Sequence, residues 1–364
     1  MTASALREKL FSPVTLGSAQ LANRLVMAPL TRIRSDERGV PTDTVVEYYR
    51  QRASMGMIVT EGTWPVGEGR TWIGQPGIEG PEHVEGWRKV TDAVHAEGGK
   101  IVMQIMHGGR IGHPSISTTG RVTAPSAIAA PGEIRTPEGK QPHPVPHALT
   151  TGEVAETVGQ FVRAAENAVA AGMDGVQIHG ANGYLIHEFT SPATNQRTDR
   201  YGGSPENRAR LSVEIAAAVA GAIGPGRTGI RLSPQHNIQG ALEEDHEDAL
   251  ATYRAMAEGL APLDLAHIDV LSAEPASELV QMIRRVSGAP LIANTGFGVV
   301  TTREEAAEII EQDLAEAVSV GRAVIANPDL ARRWEEDLPE NDAVPATFYV
   351  GGERGYTDYP FYEG

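Results

Sequence analysis

Apolar residues gather in eight short runs, at 24–31, 57–63, 100–107, 175–179, 228–233, 266–271, 290–294 and 317–320. Most of these runs are continuously apolar rather than alternating, the pattern of strands buried on both faces. Between them, at about 42–54, 81–97, 152–171, 205–223, 244–259, 276–286, 302–312 and 329–335, the spacing predicts helices. Boundary residues agree: Thr42 precedes one helical run, Thr151 opens another with Glu153, and Gly172 follows Ala170 and Ala171 where a helix should stop. Eight strand-then-helix units predict an α/β fold, a single (β/α)8 TIM barrel spanning residues 1–364.

Two segments fall outside this alternation. Residues 10–17, followed by Asn23 and Arg24, read as an N-terminal hairpin that closes the barrel floor. From about 108 to 150, after the third strand, a Pro- and Gly-rich stretch lacks helical period. So long a connection in a compact fold is usually functional, and it is expected to be a lid over the barrel mouth.

Composition narrows the function. Hydrophobic residues at 41% and charged residues at 21% are those of a globular protein in water, and no apolar stretch is long enough to cross a bilayer. The first nine residues contain no apolar signal-peptide core, so the cytoplasm is the expected compartment. The chain has no cysteine, which excludes disulfides, thiolate metal and iron–sulfur sites and cysteine nucleophiles, and no metal is expected. A net charge of −16 argues against nucleic acid or an anionic membrane as partner and leaves small molecules. Monomer and homo-oligomer both stay open.

In a TIM barrel the active site lies at the C-terminal ends of the strands, so polar residues just after each apolar run are the candidates. They are Thr31, Glu61 with Gly62, Gln104 with His107, His179 with Asn182, Arg231, Asn294 with Thr295 and Gly296, and Gly321 with Arg322. The loops after strands seven and eight commonly bind phosphate in this fold; Gly296 and Gly321 let backbone N–H groups approach, and Arg322 adds a charged fork. Arg231, projecting into an apolar mouth, needs an anionic partner, which is either a charged cofactor ring or a barrel carboxylate. Gln104 offers a donor and an acceptor suited to a pyrimidine edge. His179, Asn182 and Tyr184 combine neutral N–H donors for an oxygen gaining negative charge with a phenol that stays protonated as an acid. Taken one at a time, His179 and Tyr184 also read as hydrogen-bonded packing residues.

Several ordered motifs carry a family resemblance: 23–32 (NRLVMAPLTR), 104–110 (QIMHGGR), 179–185 (HGANGYL), 195–204 (NQRTDRYGGS), Gly321-Arg322, 326–330 (ANPDL) and 355–360 (GYTDYP). Over essentially its whole length the chain resembles the Old Yellow Enzyme family of FMN-dependent ene-reductases. The resemblance implies FMN bound non-covalently on the barrel mouth, with Ala28, Pro29, Thr31, Gly62, Gln104 and Arg231 around its ring and Thr295, Gly296, Gly321 and Arg322 at its phosphate. It implies that His179 and Asn182 hold the substrate's activating oxygen, that Tyr184 donates the proton, and that Trp72 and Tyr356 border the substrate. NAD(P)H would be the hydride donor and activated alkenes, carbonyl or nitro, the acceptors. Thr31 stands where one branch of the family carries Cys, so the chain resembles the other branch. Met106 and Trp72 stand where relatives often have Trp and Tyr, and residues 129–147 match poorly; Arg135 and Lys140 in that stretch read either as contacts for a nucleotide phosphate or as solvated charges.

Other readings use the same residues. A flavin-binding barrel could reduce nitro, nitrate-ester or quinone-type acceptors, or carry flavin without turnover. A sugar-phosphate aldolase or isomerase could use the phosphate site, although no lysine stands at a strand end for a Schiff base.

Overall fold

The computed structural model describes residues 8–296, 298–350 and 352–364. The first seven residues, on which the expectation of a cytoplasmic chain partly rests, lie outside them. In chain order the strands are β1 (Val14–Leu16), β2 (Ala19–Leu21), β3 (Leu25–Met27), β4 (Met57–Val59), β5 (Ile101–Ile105), β6 (Thr123–Ala124), β7 (Glu133–Thr136), β8 (Gly139–Pro142), β9 (His147–Ala148), β10 (Gly175–Gly180), β11 (Thr228–Leu232), β12 (His267–Leu271), β13 (Leu291–Asn294) and β14 (Ala317–Val320). Eight of them close a parallel barrel in the order β10-β11-β12-β13-β14-β3-β4-β5. Each of the eight apolar runs supplies one barrel strand, and β3, β4, β5, β10 and β11 are buried at every residue because helices cover the outside and side-chain layers fill the inside.

The helices start where local chemistry satisfies their first N–H groups. Thr150 and Glu153 form a reciprocal capping box ahead of Thr151–Ala170, and the hydroxyl or carboxylate of Ser204, Asp245, Ser277 and Thr302 accepts a first-turn N–H of the next four long helices. Gly172 leaves the first of these at φ +94°. Thr42 differs from expectation: its hydroxyl binds the Arg34 carbonyl at 3.0 Å rather than capping Asp43–Arg50. Two short helices, Leu185–Thr190 and Arg322–Ala326, escape a periodicity reading because neither completes two turns.

The β1–β2 hairpin plugs the barrel floor. Leu16 and Leu21 pack with Val26, Met57, Val59, Val102, Ile292 and Ala317 in an inner cluster. Burying each of the two leucines contributes about 1.5–3 kcal/mol. Gly17 turns the hairpin at φ +55°, where a Cβ would lie 2.3 Å from the Gly226 carbonyl oxygen. The long insertion after β5 holds two small pairings, β6 with β9 and the antiparallel hairpin β7–β8. Arg135 on β7 reaches the mouth cavity. No helix among the described residues is long and apolar enough to cross a membrane.

Candidate active site at the barrel mouth

A cavity of about 470 Å³ opens at the C-terminal ends of the strands. Ala28, Pro29, Thr31, Trp72, Gln104, His179, Asn182, Tyr184, Arg231, Gly296, Gly321 and Arg322 all line it, so the structure brings together residues up to 294 positions apart in the chain. Five candidates stand elsewhere, two of them the buried Glu61 and His107. Gly62 lies behind Met106: a Cβ there would sit 2.6 Å from the Met106 sulfur, and Met106 itself forms the wall. Thr295 does not line the cavity; its hydroxyl stands 3.1 Å from that of Thr301, which does, while its neighbours Asn294 and Gly296 face in. Tyr356 is likewise absent from the lining of the cavity. It is fully buried, stacked on Tyr48 at 4.0 Å, with the Arg34 guanidinium 4.3 Å from its ring centroid.

One wall carries His179, Asn182 and Tyr184. His179 is the penultimate residue of β10, and its Nδ1 is buried without a hydrogen-bond partner. Burial first, then the positive charge of Arg231 and the neighbouring His187, holds its pKa well below the usual histidine value, so the imidazole is neutral near pH 7. Asn182 sits at φ +56°, a left-handed conformation that asparagine tolerates better than most residues. Its N–H donates to the Ser233 hydroxyl at 2.8 Å and its carbonyl accepts from Gln239 at 2.7 Å, which fixes the backbone, while its side-chain Oδ1 is buried and unpartnered. Tyr184 precedes helix Leu185–Thr190, 5.1 Å from the His179 ring and 6.0 Å from Trp72 by centroids. Burial raises its pKa, so the phenol keeps its proton. The wall therefore presents neutral hydrogen-bonding groups beside a protonated phenol.

Beneath it a polar network crosses the barrel interior. Gln104 donates to Gln177 at 2.9 Å, Gln177 donates to Asp269 at 3.3 Å, and Arg231 donates to Asp269 at 2.6 Å and to Asn294 at 3.3 Å. Asn294 in turn donates to the Ser319 carbonyl at 2.7 Å. The anionic partner required by Arg231 is thus Asp269, the barrel-carboxylate alternative, and Arg231 also lines the cavity. Its Nε, Asp269 Oδ1 and the Ser319 hydroxyl are buried without partners in this network. Burial raises the Asp269 pKa and Arg231 opposes the rise; we take the pair as ionised, because a guanidinium stays charged and the contact is short.

The opposite end suits an anion. Gly296, Gly298 at φ +98° and Gly321 expose backbone beside Arg322, whose Nη2 would stand 3.9 Å from a Cβ at Gly298. A planar, phosphorylated group fits this set: a glycine-and-arginine cradle for the phosphate, and an unpartnered buried Arg231 Nε and the Gln104 amide for a heteroatom-rich ring.

Sequence reasoning missed several lining or supporting residues. Asp269 was detectable as an acid inside an otherwise apolar strand, and Gln177 as an amide inside another. Phe348 and Tyr349 line the mouth from a C-terminal segment far from any strand end, and no local signal points to them. Ile33 lines it at φ +50°, unusual for a β-branched residue; Glu61 accepts the N–H groups of Arg32 and Ile33 at 3.0 and 2.8 Å and holds that turn.

The chain is similar over its length to known flavin-dependent reductases. The model of the NADH:flavin oxidoreductase / NADH oxidase family matches residues 9–341. A probable flavin mononucleotide-dependent alkene reductase of Leishmania infantum is 44% identical over 368 residues, covering 99% of both chains. Among solved structures, an old yellow enzyme homologue from Zymomonas mobilis superposes with a TM-score of 0.91 at 40% identity, over 97% of this chain and 99% of that one. Morphinone reductase in complex with tetrahydroNAD gives a TM-score of 0.91 at 38% identity, over 97% and 98% of the two chains.

Proposed function

We propose residue roles for a chain that belongs to the NADH:flavin oxidoreductase / NADH oxidase family, among the Old Yellow Enzymes. It is an FMN-dependent ene-reductase using NAD(P)H. When bound, FMN would supply the redox chemistry, hydride transfer between a nicotinamide and the β-carbon of an activated alkene. Gln104 and Arg231 would hold the ring, and Gly296, Gly321 and Arg322 the phosphate; their common cavity supports this assignment.

His179 and Asn182 donate hydrogen bonds to the carbonyl or nitro oxygen of the acceptor, stabilising the negative charge that develops there. Tyr184 protonates the α-carbon from its hydroxyl. The observation that carries this reading is the buried, unpartnered Nδ1 of a neutral His179 beside the protonated Tyr184. A buried polar atom without a partner is costly unless a ligand completes it.

Anaerobic stopped-flow spectroscopy tests the reading. NAD(P)H should bleach the visible flavin band and cyclohexenone should restore it. A yellow protein that bleaches but never recovers with enones would remove the alkene assignment. A protein that takes up no FMN would remove the cofactor roles.

A further inference from the structure

We propose that Arg34 is a positioning residue for substrate selectivity, holding a strap, residues 347–350 and 352, so that Phe348 and Tyr349 form one wall of the cavity mouth. The inference rests on the reading of this cavity as the alkene site.

The Arg34 guanidinium is almost fully buried, and its five N–H donors meet five carbonyl oxygens. Nε binds Gly352 at 2.8 Å, Nη1 binds Phe348 at 3.0 Å, and Nη2 binds Thr347 at 2.7 Å and Val350 at 2.9 Å. Nη1 also binds the Arg32 carbonyl at 2.8 Å. Four of the five bonds thus converge on one short strap, from which Phe348 and Tyr349 line the cavity. Arg32 adds bonds to Phe348 at 3.1 Å and Gly355 at 2.7 Å from the other side.

Among the described residues the only other side chain bonded to the backbone of the strap is Arg32, and only at Phe348. Tyr349 and Val350 are more than half exposed, so burial alone does not fix them. Arg34 is itself joined to the cavity through its own chain: Thr31 and Ile33, just before it, line the same mouth. One guanidinium therefore ties the residues that carry Phe348 and Tyr349 to the turn that carries Thr31 and Ile33, all lining one cavity. A lysine offers three donors from one point and cannot span carbonyls at Thr347, Phe348, Val350 and Gly352.

The test uses holoenzyme and two enones of different width, cyclohexenone and benzylideneacetone. The parent enzyme must reduce both; if it reduces neither, the alkene reading fails, and the strap is then judged by hydrogen exchange alone. R34M should shift the ratio of kcat/KM for the two enones roughly tenfold, mainly through KM, and Y349A should shift it similarly. The double variant R34M/Y349A should add nothing to Y349A, since both act through one wall. R34K should not restore the parent ratio. Hydrogen exchange should show lost protection at residues 347–350 in R34M with the barrel strands unchanged. An unaltered ratio in R34M, additive effects in the double variant, or unchanged protection of the strap would overturn the proposal. If R34M fails to fold, G355A disturbs the strap from its far end, because a Cβ there would lie 1.8 Å from the Thr347 hydroxyl oxygen. It should then shift the same ratio, and an unchanged ratio in G355A would equally sink the idea.

Discussion

His179 and Arg231 are register partners on adjacent parallel strands of the barrel, β10 and β11, and Arg231 is in turn the register partner of Asp269 on β12. Register partners on adjacent parallel strands point to the same face of the sheet, here the barrel interior. A neutral imidazole, a guanidinium and a carboxylate thus stand in sequence around the wall, and the charge of Arg231 helps keep His179 unprotonated.

This arrangement gives a pH prediction. Binding of a small neutral phenol or of cyclohexenone at His179 should stay flat between about pH 8 and pH 6, where an ordinary histidine would gain charge. Titration of ligand affinity by flavin absorbance checks it. A break in affinity near the ordinary histidine pKa would mean that His179 does protonate.

The same depressed value affects stability at low pH. His107 and His267 are also buried, with pKa values held down to about 4. The unfolded chain takes up these protons first as pH falls, so stability should drop below about pH 6.5, by up to about 1.4 kcal/mol per pH unit for each group. Burial of Glu61 and Glu188 acts oppositely, with values raised to about 7 and about 8. E61Q removes one such group: relative to the parent, its melting temperature should rise as pH increases from about 4.5 to above 7, where the folded parent must ionise a buried carboxyl. A difference between the two proteins that is constant across that range would count against a raised pKa.

Tyr184→Phe should leave bleaching by NAD(P)H intact and slow reoxidation by cyclohexenone roughly a hundredfold or more, the usual cost of losing a general acid. Separate stopped-flow measurement of the two halves decides it. Equal enone rates in parent and variant would take the proton-donor role from Tyr184.

The Arg231 and Asp269 pair is wholly buried, and removing one member leaves an uncompensated charge. Asp269→Leu should destabilise the protein by about 3–5 kcal/mol in urea denaturation. Adding Arg231→Met should recover much of that loss while still impairing flavin binding. A double variant as unstable as Asp269→Leu alone would show that the cost is packing rather than charge.

The continuous apolar runs determined the barrel, because a strand buried on both faces leaves few other sequence solutions and eight of them alternate with helices. The same logic exposed the residues at strand ends, so Gln104, His179, Asn182, Arg231, Gly321 and Arg322 were legible as one group that the cavity unites. Tertiary structure alone decided what faced them. Which partner neutralises Arg231 depends on the stagger between strands 38 residues apart in sequence, and only closure of the barrel brings Asp269 opposite. The strap carrying Phe348 and Tyr349 lies outside the strand–helix repeat, and Arg34, more than 300 residues earlier, meets it with four hydrogen bonds. Tyr356 reads by motif as a mouth residue, yet stacking on Tyr48 and two buried guanidiniums draw its ring into the core. Periodicity records which faces are buried; it carries no record of long-range partners, which are fixed only when the chain closes on itself.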